Sequence, residues 1–377
     1  MREPIRVLNI TRVFQAAGIE SFIMNMYRNI DRDKVQFDFL VMKDEKGCYD
    51  DEIDGLGGKR YYIDVKPKNT FIRIIHESIK LYKFLKKNKY QIIHVHYTTP
   101  LRAPYLLAAK KAGVPVRIYH SHSAEVSGKS GMKLKIYNFF RKKITQWGTD
   151  WFACSNAAAE WMYEKKLIEN NKVKVICNGI DTNKFGFCQA DRDAVREEYG
   201  VEDKFIIIHT GRFLEQKNHK FILDVFNKVK DKCSSAVLML LGTGPLIDEI
   251  KHKAKVLGIE ESVFFLGVHS DVNRFLSAAD CYIMPSLYEG LPVAAIEAQC
   301  AGLPCVFSDN ITSEVMVTEN VSFLSLNSDI EKWCETIVGS QNVIRKDCIV
   351  SIIEHGYDVC NVAEALQDFY EKAFRSG

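Results

Sequence analysis

The chain alternates short apolar runs with amphipathic stretches, and it does so twice. Residues 6–10 (RVLNI), 35–42 (VQFDFLVM), 61–65, 92–96 (IIHVH), 116–120 (VRIYH) and 151–155 (WFACS) read as strands, with helical patterns between them. Past residue 190 the rhythm restarts, with 205–209, SAVLMLLG, VFFLG and 281–284 as the apolar runs. Strands and helices alternating at this spacing imply α/β architecture with parallel, doubly wound sheets. In such sheets ligands bind beyond the strand C-termini. A length of 377 residues fits two domains, and the expected boundary lies near Ala190, giving 1–189 and 190–357.

Several classes are disfavoured at once. No apolar run reaches the 18 or more residues of a membrane-spanning helix. The start, MREPIRVLNI, enters a strand without the apolar region of a signal peptide. Eleven cysteines are scattered singly, many inside apolar runs, and no CxxC spacing occurs, which points to reduced thiols in a cytoplasmic protein. The net charge of +3 is unevenly spread: residues 1–189 hold 33 Lys and Arg against 19 Asp and Glu, and the remainder 18 against 29. Between Lys66 and Lys143, 18 basic residues meet two acids, Glu77 and Glu125. That split suggests that the first half faces a polyanionic surface. The segments around 80–89 and 129–147 are basic, and in the latter Met132, Ile136, Phe140 and Ile144 form an apolar stripe beside lysines. Such helices also occur as ordinary packed surface, but two basic segments together favour contact with an anionic membrane surface, and a cytoplasmic protein peripheral on the inner face of the membrane is expected. No nucleic-acid partner is expected.

The most informative stretch is YIMPSLYEGLPVAAIEAQCAGLP, residues 282–304. A buried strand should end at Pro285, and a helix should open with Pro292 at its first position and close at Gly302. N–H groups at Gly290 and Leu291 then point out of a helix start, where an anion such as a diphosphate is favoured. Glu297 falls about 7.5 Å up the axis, roughly the span from a phosphate to a ribose. Glu289 sits in the corner at the other end. Alone, this is also what a buried strand–helix corner with two solvated acids looks like.

Other candidates lie at strand ends. Gly18 follows the first strand and permits close approach of backbone to a phosphate. His94, His96, His120 and His122 occupy the ends of two strands. His120 and His122 face one side and could share an ion, but no carboxylate or cysteine accompanies them, so no metal is expected. Gly211 and Arg212 follow the strand 205–209, with Lys217 shortly after, offering fixed charge to a diphosphate. Gly242, Gly244 and Pro245 close the next strand. G-x-G-x-x-G is absent at both glycine turns, which disfavours a nicotinamide dehydrogenase.

The pattern Pro285, Ser286, Glu289, Gly290, Pro292, Glu297, Ala298, Gly302, Pro304 resembles the retaining nucleotide-sugar glycosyltransferases of the GT-B fold, family 4. NGIDTNKF (178–185) is similar to the family's interdomain signature, with Phe185 as the expected anchor. Gly211, Arg212 and Lys217 match its G-R-[LF]-x-x-x-K. The resemblance covers nearly the whole chain. It implies two Rossmann-like domains facing a central cleft, with a C-terminal helix (358–377) crossing back onto the first. It implies a catalytic set of Arg212, Lys217, Glu289 and His122 or His120, of which His122, further out of its strand, is favoured. The donor, most plainly a UDP-sugar, is expected to meet Gly18, Gly211, Arg212, Lys217, Gly242, Gly244, Val268, Glu289, Gly290, Leu291 and Glu297. The family usually has two glycines where this chain has Ala17 and Gly18, so only Gly18 carries over. A metal-independent, retaining transfer to a lipid-linked glycan in capsule or exopolysaccharide synthesis follows, with no cofactor. The rivals are a nucleotide-sugar epimerase of the same fold and a non-catalytic nucleotide-sugar-binding protein.

Overall fold

The computed structural model describes residues 3–12, 14, 18–43, 45–63, 65–67, 69–123 and 131–376. The chain divides into two compact units, Met1–Gly179 with Val359–Gly377, and Ile180–Asp358. The division falls ahead of the Ala190 position read from the sequence. What holds the segment there is Asp181, which caps the short helix Thr182–Phe185 by accepting from the Lys184 N–H at 3.0 Å. The Thr182 hydroxyl also donates to Asp358 at 2.8 Å, and the Ile180 N–H to the Tyr357 carbonyl. These contacts, rather than the half-buried Phe185 alone, tie the start of the second unit to its end.

The first unit is built on seven parallel strands: β1 (Ile5–Thr11), β2 (Val35–Val41), β3 (Lys59–Tyr62), β4 (Ile92–Tyr97), β5 (Val116–Ser121), β6 (Asp150–Ala153) and β7 (Val173–Val175). Their order is β3-β2-β1-β4-β5-β6-β7, so the order reverses between β1 and β4. Successive residues of a strand face opposite sides. Leu8, Ile10, Ile93 and Val95 accordingly pack under helices Thr70–Asn88 and Ala103–Ala112. Val7, Phe37, Phe39 and Ile118 pack under helix Gly18–Asn29 and the C-terminal helix Val359–Ser376 through Val362, Ala363, Leu366 and Tyr370. That last helix therefore belongs to the first unit, as the family pattern implies.

The second unit carries six parallel strands, β8 (Phe205–Thr210), β9 (Ala236–Leu241), β10 (Val263–Gly267), β11 (Cys281–Met284), β12 (Cys305–Ser308) and β13 (Val321–Leu324). Their order is β10-β9-β8-β11-β12-β13, with the reversal between β8 and β11. β8 and β9 are buried along their full length, as sheets covered on both faces require. No helix of the described residues is long and apolar enough to cross a membrane.

Candidate active site

In the second unit the loops after β8 and β11 meet at the reversal point, where such sheets bind ligands. The helix after β11 spans Val293–Cys300. Pro292 is its N-cap, extended at φ −74 and ψ 112, rather than its first helical residue. No side chain caps this start. The Ala295 N–H turns back onto the Pro292 carbonyl at 3.0 Å, and the N–H groups ahead of it, beside Gly290 and Leu291, are open to an external acceptor. At the other end Gly302, at φ +71, takes the left-handed turn that closes the helix.

The loop 211–218 is clamped to this corner. The Leu287 N–H donates to the Gln216 carbonyl at 2.8 Å, Gln216 Nε2 to the Tyr288 carbonyl at 2.9 Å, and Asn218 Nδ2 to the Pro285 carbonyl at 3.1 Å. Lys217 Nζ consequently lies 2.7 Å from Glu289 Oε1, and the Glu289 side chain is 9% exposed. Arg212 is exposed, and its side chain has no partner among the described residues. A fixed ammonium thus stands in the corner ahead of this helix start, while Arg212, on the same loop, is exposed. The glycines have a packing reason as well as a binding one. A Cβ on Gly242, at φ +132, would fall 2.0 Å from the Gly211 carbonyl oxygen, and one on Gly244 2.6 Å from that of Phe213. A Cβ on Gly211 would press on the Lys217 stem at 3.3 Å.

Glu297 is half-buried on the same helix, and burial pushes its carboxyl up to about 7, with Lys184 pulling the other way. Val268 follows β10 and is 78% exposed. Two residues carried no signal in the sequence. His209 is fully buried at the end of β8, its Nδ1–H donating to the Ile283 carbonyl at 2.8 Å while Nε2 has no partner among the described residues. His219 lies stacked on Phe213 with ring centroids 4.0 Å apart.

In the first unit the four strand-end histidines form one block. His94 and His96 stack with centroids 3.9 Å apart, and His120 and His122 at 4.1 Å. His94 Nδ1 meets the Tyr370 hydroxyl at 2.7 Å and its Nε2 meets His120 Nδ1 at 3.2 Å. His96 meets Asn9 and His122 in a second chain. Burial holds all four below the ordinary imidazole range, His122 at about 3. His120 is fully enclosed, whereas His122 is only half-buried at the strand end. His94, His96 and His120 offer ring nitrogens within 4.8 Å of one another and could be drawn onto an ion. As placed, the rings are instead hydrogen-bonded in pairs. Gly18 opens helix Gly18–Asn29, and a Cβ there would meet no neighbour among the described residues. Behind it the Thr11 hydroxyl donates to the buried Glu20 at 3.1 Å, a contact not foreseen from sequence. Ala17 and the segment Gly128–Ser130 lie outside the described residues.

The basic segments occupy helices Thr70–Asn88 and Met132–Trp147. On the second, Tyr137 and Ile144 are the buried residues, while Met132 is exposed, so the proposed i, i+4 stripe is not a continuous buried face. The first helix exposes Phe71, Ile72, Ile75, Ile79 and Tyr82.

Two parallel-sheet Rossmann-like units with these corners define a GT-B glycosyltransferase. Residues 16–184 match the family described as Glycosyltransferase Family 4, and residues 191–337 the one described as Glycosyl transferases group 1. EpsF of Bacillus subtilis (strain 168) is 35% identical over 377 residues, covering 97% of this chain and 96% of that protein. The chain therefore belongs to the family 4, group 1 glycosyltransferases. It is also similar to the UDP-Gal:alpha-D-GlcNAc-diphosphoundecaprenol alpha-1,3-galactosyltransferase of Escherichia coli, at 25% identity over 97% of this chain and 96% of that one. Among solved structures, Anabaena Alr3699/HepE in complex with UDP matches with a TM-score of 0.79 at 17% identity, over 97% of this chain and 100% of that one. WaaG, a glycosyltransferase of lipopolysaccharide biosynthesis, matches with 0.72 at 14%, over 97% and 99%.

Proposed function

We propose that the protein moves a hexose from a UDP-sugar, with retention at the anomeric carbon, to a lipid-linked glycan during polysaccharide assembly on the cytoplasmic face of a membrane. The observation that carries this is the clamp of Lys217 and Glu289 beside the uncapped start of helix Val293–Cys300. The chemical demand is to stabilise a diphosphate as the glycosidic bond breaks. Arg212, Lys217 and the N–H groups near Gly290 and Leu291 supply preorganised positive charge, the task a divalent ion performs elsewhere. Glu289 orients the transferred sugar, Glu297 holds the ribose hydroxyls, Val268 borders the base, and Gly18 lets backbone approach the phosphates. His122 serves the donor sugar, because His120 is enclosed. The relatives support a UDP-sugar and a lipid-linked acceptor, since one is named for UDP-Gal and a diphosphoundecaprenol acceptor and another was solved with UDP.

Contact with the membrane rests on helix Thr70–Asn88. Ile75, Ile79 and Tyr82 line a groove of about 750 Å³ with Pro104, Leu107 and Lys111, and the same helix carries Lys83, Lys86 and Lys87. Apolar contact plus roughly 1 kcal/mol per basic residue near anionic lipid suffices for reversible binding. The test is transfer from a panel of labelled UDP-sugars into membrane lipid extract, with and without EDTA. Acceptor-dependent transfer that survives EDTA is expected. Donor conversion without acceptor, or loss of activity with EDTA, would overturn the reading.

A further inference from the structure

Next to the Lys217 and Glu289 pair, within the second unit, a buried imidazole has an unused nitrogen. His209 Nδ1 lies 2.8 Å from the Ile283 carbonyl oxygen. That oxygen only accepts, so Nδ1 carries the proton. Burial, with His219 and Lys217 nearby, holds the ring well below the ordinary imidazole range and keeps it neutral. One proton on Nδ1 leaves Nε2 bare. The residue is fully enclosed, and Nε2 has no partner among the described residues. A buried acceptor without a donor is costly, so it calls for a reason. The ring is held in place: His219, itself stacked on Phe213, stands against it at 87° with centroids 4.9 Å apart.

Lys217 is the donor in reach. A Cβ on Gly211 would fall 3.1 Å from His209 Nε2 and 3.3 Å from both Cδ and Cε of Lys217. Glycine therefore keeps open the gap between the bare nitrogen and the lysine stem, whose ammonium is one bond beyond Cε. The backbone on either side is pinned, since the Gln216 carbonyl accepts from the Leu287 N–H and Asn218 donates to the Pro285 carbonyl. Only the side chain has to turn. Nζ lies 2.7 Å from Glu289 Oε1, close but not aligned as a hydrogen bond, so the ammonium's donors are not committed there.

We infer that His209 is a positioning residue whose Nε2 is a second seat for the Lys217 ammonium, occupied when Glu289 turns to the transferred sugar. This rests on the roles proposed for Lys217 and Glu289. Glu289 cancels the lysine's charge, whereas a neutral imidazole holds the ammonium without cancelling it. The exchange therefore releases the carboxylate to the sugar and the full positive charge to the departing diphosphate in one step.

Two measurements on the intact protein test it. Nitrogen-15 labelled histidine and long-range N–H spectra at neutral pH report the His209 ring, assigned by the peaks lost in His209→Gln. Without ligand a bare Nε2 is expected. Glu289→Ala removes the first partner, and the Nε2 resonance should then move upfield, as a lone pair does on accepting a hydrogen bond. With Lys217→Met added, it should stay in place. A protonated Nε2 in the wild type, or no shift in Glu289→Ala, overturns the inference. Turnover of the UDP-sugar with membrane lipid extract then separates position from fold. His209→Leu is expected to lower kcat about tenfold with donor KM changed less than about twofold, and His209→Gln, whose amide oxygen can accept at the same place, to regain most of the loss. An unchanged kcat in His209→Leu, or equal losses in both variants, overturns it. If His209→Leu does not fold, the Glu289→Ala spectrum decides. If no UDP-sugar is turned over, the proposed function falls, and the spectra alone judge the second seat.

Discussion

Lys217 is already neutralised by Glu289 in the ligand-free protein, and this separates two effects that usually travel together. A diphosphate must compete with Glu289 for the ammonium. Glu289→Gln is therefore expected to tighten UDP binding several-fold and to lower turnover, because the sugar loses its orienting carboxylate. Lys217→Ala should weaken both, with turnover down roughly 10²–10³-fold, as should Arg212→Ala. Calorimetry beside steady-state kinetics separates these, and near-normal rates in both cation variants would remove the diphosphate role. Glu297 adds a pH signature. Its carboxyl titrates near 7, and only the ionised form accepts from two ribose hydroxyls. Donor KM should fall as pH rises through about 7 and become flat in Glu297→Gln. At this scale the sequence revealed residues whose chemistry is unusual for their position: paired acids, an Arg and Lys after a glycine turn, alternate histidines. It hid Asn9, Glu20 and His209, because an ordinary polar residue in a strand or first helical turn acquires meaning only from a partner distant in the chain.

The elements were legible because their periods were clean, and the errors fall where an element's end is set by neighbours. Pro292 caps instead of starting its helix, since the corner is pulled back onto residues 216–218. The apolar residues of Met132–Trp147 are divided between the sheet and solvent, which a stripe count does not separate. The lone acid of helix Thr70–Asn88 has a reason that charge counting missed. Glu77 is buried, accepting from Arg102 Nη1 and the Tyr105 hydroxyl, both at 2.6 Å, and so fixes the basic helix to its neighbour. Glu77→Ala leaves a buried guanidinium unpaired and should cost about 3–5 kcal/mol by chemical denaturation. A change under about 1 kcal/mol would mean that the pair merely breaks even with solvent. If this helix is the membrane face, replacing Lys83, Lys86 and Lys87 by Glu should abolish binding to vesicles rich in anionic lipid and leave transfer to a soluble acceptor analogue intact. Unchanged vesicle binding would dismiss that face.

Across the whole molecule, six of the ten histidines are held below their ordinary pKa: four in the first unit, and His209 and His219 in the second. Their folded values are depressed, so the stability they lend is complete above about 6.5, the unfolded value. It is lost as pH falls towards the folded values, about 4 for His219 and about 3 for His122. In that window the unfolded chain takes up protons that the native state refuses. Each histidine then costs up to about 1.4 kcal/mol per pH unit. Glu20 and Glu297 work in the opposite direction, because their folded pKa values are raised and acid relieves them. Two half-relieved carboxyls do not offset six imidazoles, and Glu297 is only half-buried, so solvent discounts its share. The denaturation midpoint should therefore drop steeply between neutral pH and about pH 5.5. The drop should be shallower in a His94→Gln, His120→Gln double variant, which removes two of the titrating rings. A midpoint that holds steady across that range would mean that the imidazole block takes up protons as readily in the folded protein as in the unfolded chain.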